Sequence, residues 1–124
     1  MTESGLSGRR VLIVEDESRI SMLIRDTLED FGCHVAAIAS RLQEARDKAH
    51  ALQFDVALLD VNLNGEPSFP LADELAKRGV PFVLATGYGE SRIPPELQHA
   101  PVLQKPFLRA ELERALLAAL AAKT

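Results

Sequence analysis

The sequence has little cysteine, no long apolar run and no excess of basic residues. Its single cysteine, Cys33, cannot form an intramolecular disulfide and has no second thiol with which to build a metal cluster. No apolar stretch approaches the roughly 18 residues that a transmembrane helix needs. The net charge is −4, whereas binding to a phosphate backbone depends on clustered Lys and Arg. We therefore expect neither a membrane nor a nucleic acid as a partner.

What the chain does contain is typical of one globular domain. Its 124 residues are 47% hydrophobic and 26% charged, a balance with which a domain of this length can bury a core. Residues 1–8 are small and polar, and we expect them to form a flexible leader before a single folded domain at 9–124. The N-terminus has no apolar core before a cleavage site, so no secretory signal is predicted and a cytoplasmic location is expected.

Short apolar segments alternate with helical patterns along the chain. The segments at 11–14, 33–39, 54–60, 81–85 and 102–104 are predicted to be strands. Apolar residues at spacings of three and four predict helices over 18–31, 40–52, 71–78 and 108–123. Ser40 and Gln43 have the spacing of a capping box at the second helix. Residues 90–101 contain three prolines, so we expect a loop or one frayed turn there.

This alternation predicts right-handed βαβ units and a parallel sheet covered by helices on both faces. We assign an α/β, flavodoxin-like, doubly wound sheet of five strands in the order 2-1-3-4-5, with a short or irregular fourth helix. Strands 1 and 3 are then neighbours at the switch point. Glu15 and Asp16, which follow the first strand, should therefore lie beside Asp60, which ends the third.

Asp60 taken alone would most simply cap the loop after its strand, but other polar residues are predicted at the same sheet edge. They are Glu15, Asp16, Thr86 and Lys105. Three close carboxylates repel one another unless a cation neutralises them, and their hard oxygen atoms suit Mg²⁺. A carboxylate beside Mg²⁺ and an ammonium group is suited to phosphoryl transfer, with the aspartate as nucleophile and Thr86 as a hydrogen-bond donor.

Four motifs, in this order and after these strands, resemble the receiver domain of two-component response regulators from about residue 10 to 122. The motifs are Val11-Leu-Ile-Val-Glu-Asp16, Leu58-Leu-Asp60, Ala85-Thr86 and Lys105-Pro106-Phe107. The segment at 81–89 is similar to a receiver subgroup whose fourth strand reads Phe-Ala-Thr-Gly followed by Gly or Tyr, with Leu84 in place of its Phe. Many members of that subgroup are single-domain regulators with a remodelled fourth helix.

The resemblance implies a role for each matching residue. Asp60 would be the phosphoacceptor, and Lys105 would pair with the phosphoryl group. The Lys105-Pro106 bond would be cis. The implied ligands of Mg²⁺ are Glu15, Asp16, Asp60 and the backbone carbonyl of Asn62. Ile20, Pro106 and Phe107 would border the surface on which receivers dock their histidine phosphodonor.

Two segments depart from the common receiver pattern. Leu63-Asn64 replaces the usual Met-Pro after the acceptor, so the loop is expected to take another path. Val102 stands where most receivers have a Tyr or Phe that rotates inward on phosphorylation. We therefore hypothesise that Thr86 and Tyr88, rather than an aromatic residue on the fifth strand, form the switch.

The function implied is a stand-alone receiver that takes a phosphoryl group from a sensor histidine kinase or a histidine phosphotransfer protein. It would catalyse its own phosphorylation and slow dephosphorylation without acting on a free substrate. Output by phosphorelay and output by binding a downstream protein both remain open, as does excision from a larger protein.

The main alternative is a metal-dependent phosphatase or hydrolase with an aspartate nucleophile. Such enzymes typically carry a second acid two residues after the nucleophile, where this chain has Asn62. A degenerate receiver acting as a constitutive binding module is disfavoured because Asp16, Asp60, Thr86 and Lys105 are all present.

Overall fold

The computed structural model of the protein describes residues 4–87 and 93–122. Over these residues the elements are, in chain order, β1 (Arg10–Val14), α1 (Ser18–Asp30), β2 (His34–Ala39), α2 (Leu42–Ala51), β3 (Val56–Asp60), β4 (Asn62–Leu63), β5 (Glu66–Pro67), α3 (Phe69–Lys77), β6 (Phe82–Thr86), a 3-10 turn (Pro95–Leu97), β7 (Val102–Gln104) and α4 (Arg109–Ala121).

Five of the strands form one parallel sheet in the order β2-β1-β3-β6-β7. Without the two-residue strands β4 and β5, this is the predicted order 2-1-3-4-5, and the flavodoxin-like fold is confirmed. The register pairs Val14 with Leu59 and Asp60 with Ala85. Continuing that register places Glu15 level with Asp60, and Thr86 one residue beyond the neighbour of Asp60.

Alternate side chains of the sheet enter two separate cores because successive strand residues point to opposite faces. On one face, Leu12 and Leu59 pack in a cluster with α2 and α3. On the other face, Ile13 and Leu58 pack in a cluster with α1 and α4, which also contains the buried Cys33. Cys33 is 5% exposed, and burial raises the pKa of its thiol, so this cysteine is a packing residue.

The segment expected to be a flexible leader is partly packed on the domain. Leu6 is fully buried and belongs to the same core cluster as Leu28 and Leu116. The Ser4 hydroxyl donates to Glu113 Oε2 at 2.6 Å, and the Leu6 carbonyl accepts from Cys33 Sγ at 3.4 Å. Residues 4–8 therefore contribute to the core, because the one apolar side chain in this polar stretch has a place between α1 and α4.

The predicted start of α2 is two residues too early. The helix begins at Leu42 with Arg41 as its N-cap residue, and Glu44 rather than Gln43 closes the turn by accepting from the Ser40 amide at 2.9 Å. Once Arg41 is the N-cap, the third helical residue is Glu44, and its carboxylate reaches back past the cap to the Ser40 amide. The buried face of the helix consists of Leu42, Ala45 and Ala49.

The prolines between β6 and β7 have the predicted effect on the residues that the structure describes there. Residues 93–101 contain the short 3-10 turn and no α-helix. Among the helices of residues 4–87 and 93–122, none has both the length and the apolar character required to span a membrane.

Candidate functional site

The acidic residues predicted to meet at the sheet edge do meet there. One carboxylate oxygen from each of Glu15, Asp16 and Asp60 lies within 4.8 Å of the other two. Glu15 and Asp60 are 3% and 4% exposed, and Asp16 is less buried. Three hard oxygen donors at this spacing, with one side open to solvent, are a suitable ligand set for a divalent cation such as Mg²⁺.

Lys105 joins two of these carboxylates. Its Nζ donates to Glu15 Oε1 at 2.7 Å and to Asp60 Oδ2 at 2.8 Å. The lysine follows β7, whose Gln104 pairs with Thr86 of β6, and the Lys105-Pro106 bond is cis, as the resemblance implied. The ammonium group therefore lies between the first and third strand ends, although it is separated from them by 90 and 45 residues in the chain.

Backbone amides hold the other oxygen of each buried carboxylate. The Glu17 amide donates to Glu15 Oε2 at 3.1 Å, and the Asn62 amide donates to Asp60 Oδ1 at 3.2 Å. Each donor is two residues beyond its acceptor, in the segment that directly follows the strand. The two side chains are therefore fixed in place both by their own loops and by Lys105.

The electrostatics of the cluster reflect its burial. Burial raises the pKa of the Glu15 carboxyl to about 7, against the lowering effect of its hydrogen bonds to Lys105 and to the Glu17 amide, while the Asp60 charge adds to the rise. Burial alone would lower the pKa of Lys105, but hydrogen bonds to Asp60 and Glu15 raise it overall. Lys105 thus remains an ammonium group beside carboxylates whose mutual repulsion a dication would relieve.

Thr86 lies at the end of β6 next to this cluster. Its carbonyl accepts from the Lys105 amide at 2.7 Å, so the residue proposed as a switch is bonded through its backbone to the residue that contacts the acceptor. Tyr88, the other half of the predicted switch, lies outside the described residues. Val102, where most receivers have an aromatic residue, is 47% exposed on β7.

The three residues predicted to dock a partner line one apolar groove. Ile20 of α1 faces Pro106 and Phe107 across a volume of about 480 Å³, and Leu23 and Gly87 also line it. Leu23 is 66% exposed, which is unusual for a leucine. Lys105 lines the groove as well, so the groove reaches the edge of the acidic cluster.

Comparison with known proteins agrees with this geometry. The family model of the response regulator receiver domain matches residues 11–117. The chain belongs to this family. The match includes the acidic cluster, Thr86, Lys105 and the residues Ile20, Pro106 and Phe107 of the apolar groove, so the receiver interpretation of the sequence is confirmed.

Known relatives of this receiver domain include solved structures and curated proteins. The solution structure of SdrG from Sphingomonas melonis Fr1 is 38% identical, covers 91% of this chain and 97% of its own, and has a TM-score of 0.82. A BeF3-activated conformation of SdrG from Pseudomonas melonis Fr1 is 36% identical, with coverages of 92% and 98% and a TM-score of 0.76.

Among curated proteins, the transcriptional regulatory protein PdtaR of Mycobacterium tuberculosis is 32% identical over 108 residues. These residues are 84% of this chain and 53% of PdtaR. The receiver domain thus spans about half the length of the curated relatives that it matches.

The sequence interpretation missed one element of the site, the hairpin formed by β4 and β5 directly after Asp60. It was predicted as a loop. The signal was present, because Asn64-Gly65 is the dipeptide that favours a two-residue hairpin turn. The flanking strands are only two residues long, too short to show an alternating pattern.

Proposed function

We propose that this receiver domain accepts a phosphoryl group on Asp60 from the phosphohistidine of a sensor kinase or a histidine phosphotransfer protein. The observation that carries the proposal is the Lys105 ammonium group, which bonds Glu15 and Asp60 at once beside Asp16. A buried carboxylate held next to a fixed cation can act as a nucleophile toward phosphorus while charge on the phosphoryl oxygens is neutralised.

In the transfer step, an Asp60 carboxylate oxygen forms the new oxygen–phosphorus bond as the phosphorus–nitrogen bond to the donor imidazole breaks. The bonding electrons go to the imidazole nitrogen, which takes a proton from solvent, and the product is an aspartyl phosphate. Lys105 Nζ lies 2.8 Å from Asp60 Oδ2, so its ammonium group would pair with an oxygen of the phosphoryl group once that group is on Asp60. The Thr86 hydroxyl would donate to another phosphoryl oxygen.

The donor set fits Mg²⁺, which would be held by Glu15, Asp16, Asp60 and the backbone carbonyl of Asn62. When bound, it supplies charge neutralisation for the carboxylates and for the phosphoryl oxygens. The SdrG structure in a BeF3-activated conformation supports the proposed phosphorylation, because BeF3⁻ mimics a phosphoryl group and that relative is 36% identical to this chain.

For partner recognition, we assign docking of the phosphodonor to the groove lined by Ile20, Pro106 and Phe107. The groove is apolar and borders the acceptor site through Lys105, which is the placement that a histidine donor requires. Output follows either by passing the phosphoryl group on or by binding a downstream protein, with Thr86 and Tyr88 as the proposed switch. The cytoplasmic location, the stand-alone organisation and the expectation of no free-substrate activity stay predictions from the sequence.

The decisive experiment is to incubate the protein with Mg²⁺ and a phosphorylated histidine kinase, or with acetyl phosphate, and to test the chemistry of the label. We expect acid-stable, base-labile label that is lost in Asp60→Asn. Asp73→Asn, on the exposed surface of α3, is the matched control and should be labelled normally. Label that persists in Asp60→Asn would exclude Asp60 as acceptor, and release of phosphate from many esters would indicate a hydrolase.

A further inference from the structure

The hairpin of β4 and β5 is joined to the acceptor with no intervening loop. Asp60 ends β3 and Asn62 begins β4, with only Val61 between them. Asn62 pairs with Pro67 and Leu63 pairs with Glu66. The hairpin thus extends from the sheet edge at the position where the backbone carbonyl of Asn62 is proposed to serve as a cation ligand.

The base of the hairpin is firmly attached to the domain. The Val61 amide donates to the Ala85 carbonyl and the Ser68 amide donates to the Val61 carbonyl, both at 3.0 Å. Leu63 is 3% exposed and packs in the core cluster that contains Val14. An isolated two-residue hairpin would not be stable in water, but this one is held at both ends and by a buried leucine.

The tip of the hairpin has a defined turn geometry. Asn64 and Gly65 have φ values of 54° and 93°, as a type I′ turn requires at both central positions. The Asn62 side chain completes the turn, because its Oδ1 accepts from the Gly65 amide at 2.6 Å. The side chain of Asn62 is therefore engaged in the hairpin, while its amide donates to Asp60 Oδ1.

The hairpin also borders the accessible side of the acidic cluster. Leu63, Asn64 and Glu66 line one cleft together with Asp16, the least buried of the three carboxylates. A change in the turn would therefore shift Asn62, the Asp60 carboxylate and the residues that line the cleft next to Asp16.

We propose that the hairpin Asn62–Pro67 is the positioning element of the cation site, with Gly65 and the Asn62 side chain as its positioning residues. It fixes the Asn62 carbonyl and the Asp60 carboxylate before the cation arrives. The proposal rests on the proposed function, since it assumes that Mg²⁺ is the ion of this site. In the sequence, Leu63-Asn64 of this hairpin stands where most receivers have Met-Pro after the acceptor.

The test compares two glycines of equal backbone conformation. Gly65 and Gly79 both have positive φ, 93° and 72°, and a Cβ added at either would meet nothing within 4 Å. Gly65→Ala and Gly79→Ala should therefore cause similar strain and similar shifts of the urea midpoint. Gly79 follows α3 at the opposite edge of the sheet, so only Gly65→Ala should weaken Mg²⁺ binding.

Titration calorimetry with Mg²⁺ alone gives the readout. We expect Gly65→Ala to raise the dissociation constant roughly tenfold, the low end of the effect of residues that orient metal ligands, and Gly79→Ala to leave it at the wild-type value. Gly65→Asn should restore most of the affinity because asparagine tolerates positive φ. If Gly65 had only a structural role, its Mg²⁺ affinity would follow the urea midpoint. Gly65→Ala and Gly79→Ala, which should have similar midpoints, would then have similar Mg²⁺ affinities.

Two results would overturn the proposal in distinguishable ways. Suppose that Gly65→Ala lowers the urea midpoint but binds Mg²⁺ with the wild-type affinity. This result would show that the turn does not position the ligands. Absence of Mg²⁺ binding in the wild-type protein would instead contradict the proposed function, and the hairpin proposal with it.

Discussion

Glu15 shows how far the fold changes the chemistry of a single side chain. Its carboxyl is buried beside Asp60, and that burial is the largest cause of its raised pKa. Lys105 and the Glu17 amide offset part of the cost of ionising it. A residue that is an ordinary acid in an unfolded chain therefore takes up or releases a proton near neutral pH in the folded, metal-free domain.

This predicts a pH-dependent Mg²⁺ affinity. A cation ligand must be deprotonated to bind, so below pH about 7 Mg²⁺ has to displace the Glu15 proton. Affinity should fall by about tenfold for each unit below that pH and be constant above it. Calorimetric titration between pH 5.5 and 8.5 measures this profile. Glu15→Gln should bind more weakly and lose the dependence, and an unchanged profile in that variant would assign the proton elsewhere.

Ser68 is a second buried polar residue, and no hydrogen bond from the described residues offsets the burial of its hydroxyl. The residue is fully buried, and among the described residues its hydroxyl has no hydrogen-bond partner. It precedes α3 but makes no side-chain cap. Ser68→Ala should therefore raise the free energy of unfolding by about 1 kcal/mol, the cost of an unsatisfied buried hydroxyl. Urea denaturation checks this, and a loss of stability would indicate that an ordered water bonds the hydroxyl.

At the scale of elements, the N-terminal segment changes the definition of the domain. Leu6 fills a space between the strand layer and the helices α1 and α4, next to Leu28 and Leu116. Gly5 lies against α4, where an added Cβ would be 3.0 Å from Leu117. A segment with a single apolar residue thus behaves as part of the helix layer.

Leu6→Ala should accordingly be as damaging as a substitution in the central sheet. We expect the free energy of unfolding to fall by about 2–5 kcal/mol, as for other fully buried leucines. Leu108→Ala is the matched control, because Leu108 is 70% exposed, and should change stability by less than about 0.5 kcal/mol. Equal effects of the two substitutions would mean that residues 4–8 do not pack on the domain in solution.

At the scale of the whole molecule, the acidic cluster and the apolar groove occupy adjoining parts of one edge. The acidic cluster opens toward the hairpin, and the apolar groove lies on the α1 side of Lys105. A donor that docks in the groove would present its phosphohistidine to Asp60 without covering the proposed cation site. Under the proposed function, affinity for the donor and reactivity of Asp60 would then depend on different residues.

Transfer from a protein donor should therefore be sensitive to substitutions in the groove that leave the acceptor intact. Leu23→Glu should slow phosphotransfer from a phosphorylated histidine kinase at least roughly tenfold, since it removes an exposed apolar contact and adds a charge. Labelling by acetyl phosphate should be unaffected. Val102→Glu, also at an exposed apolar position but on β7, is the control. Kinase transfer that is slowed by Val102→Glu but not by Leu23→Glu would show that the donor docks on another face.

The sequence by itself determined the order of the strands and the identity of the acidic cluster. These follow from local patterns, because apolar runs define strands and parallel strands bring their carboxyl ends to one edge. Only the tertiary structure decided how Lys105 bridges Glu15 and Asp60, that Leu6 belongs to the core, and that the loop after Asp60 is a hairpin tied to the acceptor. Those features depend on contacts between residues far apart in the chain or on strands of two residues, and neither leaves a periodic signal in the sequence.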